Sequence, residues 1–422
     1  MTALGLEEPQ AIWRRHPRMQ NIIIAKPYRF VPPYYSQRWT RVFRYYVPHY
    51  LKRKWGIARA EYRGVERLKK SLDRGHGIIL APNHCRPCDP MVLGLLAIQV
   101  NTPFFTMASW HLFMEGWYQR WLTRRLGAFS VYREGMDREA LRTCNHILVE
   151  ALRPLVIFPE GIVSRTNDRL GPLQEGVAFI ARTAAKQRAK KSPPGQVVIH
   201  PVFQRYFFEA DLAASVGPVL EEIEKRLSWR PQKDRPLSDR ILKVGDALLS
   251  LKEIEYLGKP QSGCPAHRLE CLMDHLLAPL EKEWLNGQQD DSVVERVKRV
   301  RSAIVPDLAA GNLPEDEKAR RWRNLADCYL AQQLACYPPD YLVDQPSPER
   351  LLETVERYEE DLTDVARVHR PLRVVISVGP PIEVSPERGR KLAEDPLMQK
   401  LKAGMEALLH SSNAPAETAI VS

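Results

Sequence analysis

Between Arg59 and Val202 short apolar runs alternate with segments of helical periodicity, and this alternation restricts the fold more than any other feature of the chain. Runs at 59–65, 77–81, 104–108, 128–132, 155–158 and 197–202 have the length of strands. The segments 90–100, 110–125, 137–150 and 175–190 repeat at helical spacing. Strands joined by helix-length connections pair in parallel, with the helices packed on the faces of one sheet. The expected class is therefore α/β, a sandwich around a largely parallel sheet. The alternation stops near Phe208. From 209 to 370 only helical periodicity appears, broken by prolines such as Pro231, Pro260, Pro306 and the pair Pro338–Pro339. Leu372–Val378 then reads as a strand again. An all-helical insertion, 209–370, thus interrupts an α/β domain made of 58–208 and 371–410. Residues 1–57 form a separate basic, aromatic segment, of which 1–20 read as weakly structured. The segment 386–410 reads as a helix and 411–422 as a disordered tail.

The stretch Ile78–Pro90, IILAPNHCRPCDP, is the centre of that domain. Its apolar run ends at Pro82 and Asn83, and Asp89–Pro90 reads as an N-cap followed by the first helical residue. His84 and Asp89 therefore fall on one turn between a buried strand and a buried helix. Imidazole accepts a proton near neutral pH, and a carboxylate on its other nitrogen fixes the tautomer. Taken alone, the pair is weak evidence for catalysis and reads more simply as a turn histidine beside a capping aspartate.

The net charge is +11. Residues 1–70 carry sixteen Lys/Arg against four Asp/Glu, so the rest of the chain is close to neutral. The same segment is rich in aromatics: Trp39, Phe43 and Tyr46 lie at helical spacing among arginines. Amphipathic aromatics with long cations suit an anionic membrane surface; the alternative is a helix packing its rings onto the domain. Cations and rings would also suit single-stranded nucleic acid, but no nucleic-acid module accompanies them, and none is expected as a partner. No run reaches the roughly 18 apolar residues of a spanning helix. The seven cysteines are scattered and no signal peptide precedes them, which reads as reduced thiols in a cytosolic compartment. Cys85 and Cys88 lack a second pair at zinc spacing, so no metal is assigned. The run Arg182, Lys186, Arg188, Lys190, Lys191 reads as a solvated helix end.

Four segments in order resemble the glycerolipid acyltransferase family, the glycerol-3-phosphate and lysophosphatidate O-acyltransferases. They are Asn83-His84 with Asp89 (N-H-x4-D), Gly127 to Arg133 (G-x5-R), Phe158-Pro159-Glu160-Gly161 (F-P-E-G), and the apolar strand Val198–Val202 ending in Pro-Val. Gly379-Pro380-Pro381-Ile382 adds a feature near the domain's end. The resemblance implies an O-acyltransferase of phospholipid biosynthesis, of the 1-acylglycerol-3-phosphate type, working on the cytoplasmic side as a peripheral membrane protein. His84 would be the general base and Asp89 its orienting partner. Asn83, Arg133, Glu160, Gly161 and Arg165 would bind the acceptor, Arg133 and Arg165 through its phosphate. No cofactor is implied beyond acyl-CoA or acyl-carrier protein as co-substrate. The partners are the acyl thioester, a glycerophospholipid precursor and the membrane surface. Two departures stand out: Cys85-Arg86 where the family often has Gln-Ser, and Ile162-Val163-Ser164 where it often has Thr-Arg-Ser. An acyl-cysteine intermediate on Cys85 or Cys88 is a minor alternative to direct attack. A competing reading is a catalytically weak lipid-binding or scaffolding protein with the same fold. The intact pair His84–Asp89 and Glu160 favour the enzyme.

Overall fold

The computed structural model describes residues 23, 25–290, 292–343, 345–365, 367–387 and 395–412. The expectations for 1–20 and for the tail beyond Ser412 fall outside them. Two short helices, α1 (Arg38–Phe43) and α2 (Val47–Trp55), precede the domain. The helical spacing of Trp39, Phe43 and Tyr46 is interrupted after Phe43, because Pro48 is compatible only with the first turn of a new helix. There follow β1 (Ile57–Arg63), α3 (Val65–Asp73), β2 (Gly77–Pro82), α4 (Asp89–Gln99) and β3 (Phe105–Ser109). The expected Trp-rich helix is also divided, into a 3-10 turn Trp110–Phe113 and α5 (Trp117–Arg125), with Gly116 at φ 152° between them. Next come β4 (Ala128–Val131), α6 (Arg138–Val149), β5 (Leu155–Val156), α7 (Gly176–Arg188) and β6 (Val197–Phe208). The insertion supplies α8 (Leu212–Arg226), α9 (Leu237–Leu257), α10 (Pro265–Leu285), α11 (Val293–Ala310), α12 (Glu315–Leu334) and α13 (Pro348–Thr363). β7 (Leu372–Val378), β8 (Ile382–Glu383) and α14 (Pro396–Ser411) close the domain.

The sheet has the order β1-β7-β6-β2-β5-β3-β4, with β8 also against β6. Every pairing is parallel except β6 with β7 and β6 with β8. The strand period of two divides the core. Ile78, Leu80, Val198, Val202 and Tyr206 face one layer with α4, α8 and α13. Ile79, Ala81, Val197 and Ile199 face the other, with α6, α7 and α14. All six residues of β2 are buried, as a strand covered on both sides requires. Each such Ile, Leu or Val contributes about 1.5–3 kcal/mol through burial.

β6 runs six residues beyond the strand expected from sequence. Pro201, inside the expected strand, sits where β6's outer neighbour changes from β8 at Val198–Ile199 to β7 from Val202 onward. At such a changeover a missing N–H costs little. The Pro201 carbonyl still accepts from Gly379 N–H at 2.8 Å. β6 therefore overhangs the end of β2, whose last pairing is Pro82 with Val202.

Candidate active site

The parallel strands β2, β4 and β5 deliver their C-terminal ends to one edge of the sheet, where open α/β sheets carry their sites. β2 and β5 are neighbours, so His84, two residues past β2, and Glu160, four past β5, meet. The His84 backbone N–H donates to Glu160 Oε1 at 2.8 Å, and Gly171 N–H donates to Oε2 at 2.9 Å. The carboxyl is buried, and that burial pushes it up to about 7 against the pull of the two N–H groups. A Cβ at Gly171 would stand 2.8 Å from Oε2, so a side chain here would displace the carboxylate that this turn holds. Glu160 thus ties the loop after β5 to the loop after β2.

His84 Nδ1 lies 2.9 Å from Asp89 Oδ2. The imidazole ring is stacked on Phe158 at 4.1 Å between centroids. Its Nε2 has no protein partner among the described residues, and the side chain reaches the surface. Asp89 is fully buried. Its Oδ1 accepts from Tyr206 Oη–H at 2.5 Å, and its Oδ2 also accepts from Arg86 N–H at 2.9 Å. The helix starts at Asp89 itself with Cys88 at the cap position, one residue earlier than the capping pattern suggests. The carboxylate faces the turn and the histidine instead of capping the helix. A carboxylate facing Nδ1 selects the tautomer that donates from Nδ1, which leaves Nε2 as the acceptor.

Asn83 is buried, and its amide clasps the backbone of Gln204: Nδ2 donates to the carbonyl at 3.0 Å and Oδ1 accepts from the N–H at 2.7 Å. Ser164 N–H donates to the His84 carbonyl at 2.7 Å. Arg133 follows β4 and donates from a terminal nitrogen to Gly161 O at 2.6 Å. Burial, and then Arg301, push this guanidinium down to about 10. Gly161 has φ +71°, a conformation that favours glycine. Arg165 turns to the insertion, where Glu360 of α13 pairs with it. Its carbonyl accepts from Arg357 at 3.0 Å. His84, Asp89, Glu160, Gly161 and Arg133 are therefore brought together, whereas Asn83 and Arg165 are engaged with protein groups.

The cysteines of the C-x-x-C pair are both buried. Burial, reinforced by Asp89, pushes Cys85 well above the ordinary thiol range and Cys88 up to about 12. Thiols so protonated are poor nucleophiles. The basic run on α7 is not a solvated face throughout: Arg182 pairs with Asp395, and Arg188 donates to the Gln196 and Val149 carbonyls at 2.9 and 2.6 Å.

Sequence reasoning missed three contributors. Tyr206 lies on the overhang of β6; the β-prone aromatics Phe203, Tyr206, Phe207 and Phe208 are the signal that the strand continues. Arg86 reaches Glu353 and Glu356 of α13 at 3.6 and 3.2 Å. Arg301 of α11 pairs with Glu134 beside Arg133; Arg86 stood out only as a departure from the motif, and nothing local marks Arg301.

Residues 59–205 match the family model described as Acyltransferase. The match begins in β1, ends on β6 and includes His84, Asp89, Arg133, Glu160 and Gly161. No solved structure matches the chain. With the sandwich, the paired histidine and carboxylate, and this match in agreement, residues 59–205 form a domain of the glycerolipid and phospholipid acyltransferase family.

Proposed function

We propose that the protein transfers a fatty acyl group from acyl-CoA or acyl-carrier protein to the free hydroxyl of a glycerol-phosphate acceptor, lysophosphatidate or glycerol 3-phosphate, at a membrane surface. The observation that carries this reading is the His84–Asp89 contact of 2.9 Å, with Asp89 buried and Nε2 without a partner among the described residues. His84 Nε2 takes the proton of the acceptor hydroxyl as its oxygen attacks the thioester carbonyl. Asp89 stabilises the imidazolium so formed. The tetrahedral intermediate expels the thiolate, which takes the proton back from His84, leaving an ester and a free thiol. No acyl-enzyme is needed, and the protonated state of Cys85 and Cys88 favours direct attack. Glu160 holds the His84 backbone in place, and Arg133 offers a guanidinium fork to the acceptor phosphate.

The test is acyl transfer from palmitoyl-CoA to lysophosphatidate by full-length protein and His84→Ala. A general base typically contributes about 10²–10⁴-fold, and a loss of that size is expected. Equal turnover by two folded proteins would overturn the assignment.

The surface supports membrane association. Trp39 of α1 and Trp121 of α5 lie 4.9 Å apart between ring centroids, and Tyr118 stacks beside Trp121 at 6.1 Å. The Arg125 guanidinium sits 4.1 Å above the Trp121 ring. Beyond this array Trp117 is 79% exposed and Tyr45 82%, with Val42, Tyr46 and Tyr118 exposed as well. Among the described residues no helix is long and apolar enough to cross a membrane. Aromatics flanked by arginines suit the headgroup layer.

A further inference from the structure

The helical insertion reaches the catalytic edge of the sheet through α11. Lys298 Nζ donates to Gln174 Oε1 at 3.2 Å, and Gln174 N–H in turn donates to Pro159 O at 2.7 Å. One turn further along α11, Arg301 pairs with Glu134, the residue after Arg133. The Arg301 side chain is only 9% exposed, and its Nε is buried without a partner. Arg133 makes its hydrogen bond to a neutral carbonyl, that of Gly161. Two guanidinium groups thus converge beside the loop after β5 with one carboxylate, Glu134, between them. His111, in the 3-10 turn after β3, senses both: burial, then Arg133 and Arg301, push it down to about 4. The local balance is cationic, desolvated and built from the ends of β3 and β4 and from the insertion.

We infer that Arg301 is a substrate-positioning residue, a second cation that joins Arg133 in holding the phosphate of the acceptor, with Glu134 keeping the Arg301 guanidinium aimed until phosphate competes for it. This rests on the reading of the acceptor as a phosphate monoester. It also gives the insertion a task at the site. The cation absent at Val163 is supplied from α11, since the guanidinium of Arg165 is directed to Glu360. Two forks around one phosphate supply more charge-assisted donors than Arg133 alone.

The experiment measures calorimetric binding of 1-hexanoylglycerol 3-phosphate and of unphosphorylated 1-hexanoylglycerol to the full chain. The wild type is expected to prefer the phosphorylated ligand. Arg301→Gln should reduce that preference at least tenfold without changing affinity for the unphosphorylated ligand. Glu134→Gln, which frees Arg301, should raise phosphate affinity severalfold. A merely structural pin between α11 and the loop after β4 predicts the opposite for Glu134→Gln: no change, or a loss matching that of Arg301→Gln. That result, or a folded Arg301→Gln protein that keeps its preference while Arg133→Gln loses it, overturns the role of Arg301 alone. Should Arg301→Gln fail to fold, the sign of the Glu134→Gln effect decides. A wild type without preference for phosphate overturns the acceptor reading and this inference with it.

Discussion

Asp89 shows how much a single carboxylate can organise. It meets the imidazole of His84, the hydroxyl of Tyr206 and the N–H of Arg86 while wholly removed from water. Three donors thus converge on this one carboxyl group, and a carboxylate is what an imidazolium needs opposite it. Asp89→Asn separates charge from shape. The amide oxygen can still accept from His84 and Arg86, and the NH₂ can donate to Tyr206, so the fold should persist. Turnover should fall about 10²–10⁴-fold, since the protonated base loses its counter-charge. Steady-state kinetics beside a thermal melt decide the matter; full activity in Asp89→Asn would reduce Asp89 to a turn former. His84, Asp89 and Glu160 were legible in the sequence because each stands in a short motif at the end of an apolar run. Tyr206 and Arg301 were not, because each acts across a long sequence separation on a motif it does not resemble. Asn83 was legible as part of the motif, yet its clasp on Gln204 depends on a strand overhang beyond the expected end at Val202.

Among the elements, α13 is the one whose position periodicity could not foresee. Its helical spacing announces a buried face but not the surface that face meets. It packs Leu352 and Val355 onto the sheet layer that carries β6, whereas α10, α11 and α12 build a separate core with Leu272, Val300 and Leu325. The insertion is thus divided between two cores. Through Glu353 and Glu356, α13 grips Arg86 two residues beyond the base. Burial alone would lower the Arg86 guanidinium, and the two carboxylates, Glu356 first, more than offset it, so it stays charged. Glu353 also accepts from Tyr341 Oη–H at 2.5 Å and from Asn167 N–H at 3.2 Å. Burial pushes it from its ordinary value near 4.5 up to about 7, against the pull of Arg86. Between those values the folded protein binds more protons at this site than the unfolded chain does. The contribution of Glu353 to stability therefore falls as pH rises through that window. Melting wild type and Glu353→Gln across it should show the wild type losing ground to the variant with rising pH. A constant or widening wild-type advantage would mean that Glu353 is ionised throughout.

Across the whole molecule, the two aromatic segments legible in the sequence, 34–55 and 110–125, prove to be one surface. The N-terminal segment is also part of the fold. Tyr28 Oη–H donates to Asp137 at 2.5 Å, and Val31 exchanges hydrogen bonds with Ser130 of β4. Removing that segment would open the β4 edge, so point changes are the cleaner probe of membrane association. Replacing Tyr45, Trp117 and Tyr118 by serine should lower partitioning to anionic vesicles at least tenfold, given about 1.5–3 kcal/mol per fully buried large apolar side chain, and leave the melting temperature unchanged. Salt should weaken what binding is left to arginines. Unaltered co-sedimentation of the triple variant would place the anchor on another surface.

β6 and β7 are antiparallel neighbours, with Phe208 opposite Leu372 and Glu209 N–H donating to Pro371 O at 3.1 Å. In topological terms the insertion is the loop of a β-hairpin. Closing a flexible loop of that length costs only about 0.6 kcal/mol more for each doubling, but the search for so distant a partner slows folding. Helices α10 to α12, with a core of their own, can form before that search ends and shorten the effective loop. The order of events on the ribosome follows from this. The strand bearing Tyr206 emerges long before β7, and β6 waits with one edge open while the helices are made. Until β7 arrives, that edge is the part of the chain most exposed to pairing with another molecule.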